Sequence, residues 1–170
     1  MVKILIISAT SKSNFKLSKN IEKILLAQNN IKSSILNLDT LDLPLYTESN
    51  YNLNKSKVKD VIDNIIDKFI NADGIIVCGP EYNGSIPPII SNTIAWISVS
   101  TEHWRDGFKD KNAFIATSSG GPGKKFIKSM DIQLDHLGMK VFKESISVST
   151  SYPINFEKST KVLKQFIKNI

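Results

Sequence analysis

Cysteine is nearly absent: the 170 residues include one, Cys78. A lone cysteine excludes an internal disulfide. It sits in the apolar run Ile75–Cys78 with no His or Cys close by in sequence, so it reads as a small buried hydrophobe rather than a redox or metal-binding thiol. Long apolar runs are missing too. No stretch approaches the roughly 18 apolar residues of a membrane-spanning helix. The opening segment, Met1–Ile7, has only four apolar residues between Lys3 and Ser8, too few for a signal peptide. The expectation is a cytoplasmic protein with no membrane partner. Neither G-x-x-x-x-G-K-[ST] nor G-x-G-x-x-G occurs. Internal repeats, linkers and low-complexity segments are also lacking, which predicts a single domain over residues 1–170. The net charge is +6, but the lysines are scattered and only Lys124-Lys125 form a local pair. That spread argues against nucleic acid and suits an anionic cofactor or cosubstrate.

What is present is an alternation of two periods. Met1–Ile7 is a continuous apolar run, the pattern of a strand buried on both faces. Ser8–Asn14 reads as a polar loop, and from Phe15 apolar residues recur at helical spacing through Leu17, Ile21, Ile24 and Leu25. Ser33–Leu38 reads as a second strand and 41–54 as a loop. A helix follows on Val58, Ile62, Ile65, Ile66, Phe69 and Ile70. Gly74–Cys78 is the third strand, and Gly79–Ser85 a polar turn. Pro87-Pro88 then opens a helix carrying Ile89, Ile90, Ile94 and Ile97. Ala113–Thr117 is the fourth strand, and Ser118–Gly123 a loop. Phe126, Met130, Leu134 and Leu137 make a helix stopped near Gly138. Val141–Val148 is the fifth strand, and 156–170 the closing helix. Strand and helix thus alternate five times. This predicts an α/β three-layer sandwich of flavodoxin-like type: a five-stranded parallel sheet in order 2-1-3-4-5 with helices on both faces.

Ligands of such sheets bind beyond the C-terminal strand ends, near the point where strand order reverses. The loop after the first strand, Ser8-Ala9-Thr10-Ser11-Lys12-Ser13-Asn14, runs into a helix N-terminus, where free amides and the helix dipole favour an anion such as a phosphate. Plain capping by Ser13 or Asn14 explains the same residues equally well. The loop after the third strand, Gly79-Pro80-Glu81-Tyr82-Asn83-Gly84-Ser85-Ile86-Pro87-Pro88, is held tightly by glycine and proline. It offers Tyr82 and backbone amides to a planar polar ring, or is a rigid turn with Glu81 as a helix-terminal acid. The loop after the fourth strand, Ser118-Ser119-Gly120-Gly121-Pro122-Gly123, either lets backbone approach a ligand closely or is simply a glycine-rich turn.

The segment Gly79–Pro87, followed by Asn92 and Trp96, resembles the P-E-Y-N-x-S-x-P…N…W signature of the NADPH-dependent FMN reductase family, which includes quinone, chromate and azo-dye reductases. Ser118-Ser119-Gly120-Gly121 resembles that family's S-x-G-G loop. The first loop departs from the family's G-S-x-R-x-x-S: Ala9-Thr10 stand for Gly-Ser, Lys12 for the arginine, and the loop is one residue shorter. The resemblance implies FMN as cofactor and NADPH or NADH as cosubstrate. The phosphate would lie on Thr10, Lys12, Ser13, Asn14, Phe15, Lys16 and Leu17. The isoalloxazine would lie along Pro80, Glu81, Tyr82, Asn83 and Gly84, with its pyrimidine edge on Ser118, Ser119, Gly120 and Gly121.

No side chain is strictly catalytic on this reading, because the flavin carries the chemistry. Electrons would leave for a small-molecule acceptor such as a quinone, free flavin, azo compound or metal ion. The alternatives are a flavodoxin-like electron carrier or a non-catalytic flavin-binding module. The resemblance also implies a homodimer or homotetramer, and sets His103 and Arg105 near the rim of the site, where a partly buried Trp104 flanked by a solvated pair explains the segment equally well. Trp96, Trp104 and Phe108 are large apolar residues around the third helix that either form an interface core or pack inside the monomer.

Overall fold

The computed structural model describes residues 1–170. Five strands, β1 (Val2–Ser8), β2 (Ile31–Asn37), β3 (Gly74–Cys78), β4 (Asn112–Ser118) and β5 (Lys140–Val148), form one parallel sheet in the order β2-β1-β3-β4-β5. The helices are α1 (Ser13–Leu26), α2 (Glu48–Asn71), α3 (Pro88–Ser100), α4 (Lys124–His136) and α5 (Phe156–Ile167). Single 3-10 turns occupy Leu38–Thr40 and Trp104–Gly107. No helix is long and apolar enough to cross a membrane.

The strand patterns follow from position in the sheet. β3 is central, every residue of it is buried, and both faces are apolar. β2 is an edge strand and alternates half-buried with exposed residues until Leu36. One face carries the larger core: Leu5, Ile7, Ile75 and Val77 pack under α2, α3 and α4 through Ile62, Ile65, Phe69, Trp96, Phe126 and Met130. On the other face Ile4, Ile6, Ile76, Cys78 and Phe114 meet α1 and α5 through Leu17, Ile21, Leu25, Leu163 and Phe166. Truncating a fully buried ring such as Phe126 or Phe166 to alanine costs about 3–5 kcal/mol at such sites. Cys78 belongs to this second core, where burial pushes its thiol up to about 12, opposed only in part by the neighbouring Ser18 hydroxyl.

Element boundaries depart from expectation where side chains act on backbone. α1 begins at Ser13, two residues before Phe15. α2 begins at Glu48, inside the expected loop. There Thr47 accepts the Asn50 N–H at 3.2 Å while Asn50 Oδ1 accepts the Thr47 N–H at 3.0 Å, a reciprocal capping box closed by asparagine instead of glutamate. The far end of α2 is closed by Lys111, whose ammonium donates to the carbonyls of Phe69, Ile70 and Ala72 at 2.6–2.7 Å.

Candidate functional site

Because the strands are parallel, the loops after β1, β3 and β4 emerge at the same end of the sheet, next to the point where β1 and β3 lead the chain in opposite directions. The first loop is short, Ala9 to Lys12. Lys12 is the N-cap of α1 and makes no side-chain capping bond. Ser13 and Asn14 lie inside the helix, so the capping explanation fails for both. The first paired amide is that of Lys16, on Lys12 O at 2.9 Å. The N–H groups of Ser13, Asn14 and Phe15 and the hydroxyls of Thr10 and Ser13 find no acceptor or donor in the chain. The outer edge of the loop is pinned instead: Asn37 Nδ2 donates to Ser11 Oγ at 3.0 Å, and Ser11 N–H to Asp39 Oδ2 at 3.2 Å. The first turn of α1 holds no acid, and Lys12 and Lys16 are exposed there. Cations at the positive end of a helix dipole destabilise it, and an anion at the same place does the reverse.

Asn14 is fully buried and reaches across the apex. Its Nδ2 donates to Ser118 O at 2.9 Å, and its Oδ1 accepts the Ser118 N–H at 2.8 Å. The β4 loop is tied in turn to the β3 loop. Ser119 Oγ lies 2.8 Å from Thr117 Oγ1 and accepts the Glu81 N–H at 2.8 Å. Past Ser119 the backbone is bare: a Cβ added to Gly120 or Gly121 meets nothing within 4 Å. The loop then closes at Gly123, the N-cap of α4. It has a φ of 60°, and an added Cβ would lie 2.7 Å from Thr117 Cγ2.

In the β3 loop Pro80 is buried, and the Glu81 carboxylate turns onto α4, accepting the amides of Lys125 at 2.9 Å and Phe126 at 3.4 Å. Glu81 is therefore a helix-terminal acid, while its own N–H secures the β4 loop. Tyr82 and Ser85 exchange backbone hydrogen bonds at 3.1 and 2.9 Å around Asn83 (φ 48°) and Gly84 (φ 74°), a type I′ turn that the Asn-Gly pair favours. The turn rests on Lys125, and the Tyr82 side is 49% exposed, outside the core.

Other anticipated residues go elsewhere. Leu17 is buried in the core beneath α1, with its side chain packed away from the apex. Phe15 is half-buried under the Lys19 ammonium, 4.6 Å from its ring centre. Asn92 Nδ2 and Trp96 Nε1 both donate to Pro44 O, at 3.1 and 2.7 Å, and strap the 41–47 connection onto α3. Trp96 and Phe108 do not form an interface core: they are 0% and 1% exposed within the chain, because Tyr46, Tyr51, Phe69 and Trp104 enclose them. His103 and Arg105 are exposed, and Arg105 stacks on Trp104 at 4.4 Å. Their 3-10 turn leads into the start of β4 and packs by Gly107 on Phe69, near the end of α2. It therefore lies toward the end of the sheet opposite the three loops, and not at their rim. A groove of about 360 Å³ lies elsewhere as well, between paired Lys3 and Lys32 and the last turns of α2. Convergent unpaired donors, rather than depth, single out the loop apex.

Residues 2–152 match the family described as NADPH-dependent FMN reductase. The chain belongs to that family. Its five-stranded parallel sheet, in the order β2-β1-β3-β4-β5, is flavodoxin-like. The NADH:(hydroxy)cinnamate reductase subunit CrdA of Vibrio ruber is 30% identical over 80 residues, a match covering 47% of this chain and 36% of that relative. The flavoenzyme NAD(P)H:(acceptor) oxidoreductase FerB from Paracoccus denitrificans superposes with a TM-score of 0.75 at 21% identity, over 99% of this chain and 94% of FerB. An azoreductase from Bacillus anthracis gives 0.68 at 18% identity, over 99% and 98% of the two chains. At these identities the two structures establish the shared fold.

Proposed function

We propose that this chain, as one flavin-binding domain over residues 1–170, oxidises NADPH or NADH through FMN and reduces a small-molecule acceptor: a quinone, free flavin, azo compound or metal ion. The reading is of a cytoplasmic homodimer or homotetramer with neither nucleic acid nor membrane as partner. The observation that carries it is the α1 N-terminus, with its amides unpaired and two lysines where a helix ordinarily wants acids.

The residues present fit FMN at both ends. A phosphate monoester takes several donors at once, and Thr10, Lys12, Ser13 and the backbone of Asn14 and Phe15 offer them, with Lys16 close by and Leu17 anchoring the turn from below. Lysine meets the phosphate as a point charge, where arginine would make a two-pronged contact. Pro80–Gly84 and Ser118–Gly121 offer a rigid turn and unobstructed glycine backbone to the ring. When bound, FMN supplies the redox chemistry, accepting hydride from the nicotinamide and passing electrons on. The protein binds, orients and lends amide donors where negative charge collects. No side chain needs to act as acid or base. The oligomer is supported by family membership and by Leu45 and Leu53, which stay 68% and 71% exposed around the start of α2.

The test is to release the bound flavin by heat, identify it by mass, and follow NADPH and NADH oxidation against a panel of those acceptors. Recovery of FAD, or no flavin after reconstitution, overturns the reading. Bound FMN without steady nicotinamide oxidation makes the chain an electron carrier or a binding module. Tyr82→Ala sharpens the assignment. Its half-exposed ring adds little to the core, so the melting temperature should hold while the flavin absorbance shifts and turnover falls. A strongly destabilised variant with normal turnover per flavin counts against Tyr82.

A further inference from the structure

We infer that the side-chain amide of Asn14 is a positioning residue, and not a phosphate ligand: it sets the phosphate end of the site at a fixed distance from the ring end. The inference rests on the FMN reading above. Asn14 is 0% exposed although it lies in the first turn of α1. Both ends of its amide are already spent on the Ser118 backbone, 104 residues away, in a two-point pairing that copies a strand ladder. Its own carbonyl accepts the Ser18 hydroxyl at 2.9 Å, which secures the turn from below. Ser118 is the last residue of β4, and Ser119 beside it holds Glu81. One amide therefore joins the loop with unpaired anion donors to the loop pair that would face the ring.

The pairing has a specific chemical consequence. A side-chain amide offered to phosphate would keep its Nδ2 free; here that donor points at a carbonyl. The phosphate would meet the Asn14 backbone N–H alone. Removing the side chain should then loosen the relation between the two loops and leave the anion donors in place. Both FMN and riboflavin should suffer, because both need the ring end registered against α1. Lys12→Ala should instead weaken FMN and spare riboflavin.

The test measures FMN and riboflavin affinity for wild type, Asn14→Ala, Asn14→Ser and Lys12→Ala, well below each variant's melting temperature, along with the visible circular dichroism of bound flavin. Asn14→Ser keeps one hydrogen-bonding group and serves if the alanine variant folds poorly. The expected result is a loss of roughly tenfold or more for both flavins in Asn14→Ala, the size of a lost buried pairing, with a changed dichroism spectrum and an intermediate effect in Asn14→Ser. A loss confined to FMN would mean that the amide holds phosphate and overturns the inference. Lower melting temperatures with unchanged affinities and spectrum would make Asn14 merely structural and overturn it equally. A wild-type chain that binds neither flavin overturns the underlying reading, and this inference with it.

Discussion

Two helices of this chain begin alike and end up in opposite electrostatic situations. α1 and α4 both start at the sheet apex, both carry two lysines at the start, and neither has an acid in its first turn or a side-chain cap from its own N-cap residue. At α4 the missing anion comes from within: Glu81, 44 residues earlier, lays its carboxylate on the amides of Lys125 and Phe126. At α1 no internal acid arrives. The Asp39 carboxylate takes the Ser11 amide at the outer edge of the loop and leaves Ser13–Phe15 unpaired. A helix start closed by its own protein is a structural joint, whereas one left open among lysines has room for a ligand's charge.

The comparison can be broken from either side. The largest effect should come from Gly123→Ala, which attacks the closed end. A non-glycine residue at φ 60° is strained, and its Cβ would crowd Thr117 at 2.7 Å, so unfolding free energy should fall by about 3 kcal/mol. Thermal or denaturant melting checks this, and a loss under about 0.5 kcal/mol would show that the α4 cap is not the constraint described here. Next comes Lys12→Ala at the open end. Stability should hardly move, while FMN binding weakens by about 1.5–3 kcal/mol and riboflavin binding stays put. Titrating both flavins decides it, and equal losses would mean that Lys12 does not meet phosphate. The smallest effect is expected from Glu81→Gln, which keeps an acceptor but removes the charge. Melting should drop by about 0.3–1 kcal/mol, with the ratio of FMN to riboflavin affinity unchanged. A change in that ratio would mean that Glu81 acts on the cofactor's phosphate and not on α4.

Much of this architecture could be read before any coordinates. The buried run Gly74–Cys78 is β3 to the residue, because a central parallel strand is apolar on both faces and bounded by polar turns. Alternation predicts the parallel sheet, and five strands in one domain suit the order found. Where reading failed, the cause was a contact that local pattern does not encode. The start of α2 was hidden because Asn50, not glutamate, completes the capping box on Thr47. Glu81 was legible as a helix-terminal acid, but nothing local says that the helix is α4. The partner of the Asn14 side chain is equally non-local, since only the fold brings Ser118 to it. Trp96, Trp104 and Phe108, large and close in sequence, suit an interface core or the interior of the monomer equally well. Tertiary packing on Phe69 and on the Pro44 strap buries Trp96 and Phe108. For His103 and Arg105 the solvated-pair alternative fits, because chain direction carries them past α3 to the far end.

Cys78 bears on the durability of the protein. Burial pushes its thiol up to about 12 and so strongly disfavours the reactive thiolate. Sealed in the middle layer, its sulfur is also out of reach of dissolved oxidants while the fold is intact. The fold thus keeps its lone sulfhydryl chemically silent. Native material stored in air has no route to disulfide-linked aggregates, and a covalent dimer on a non-reducing gel marks chains that have already come apart.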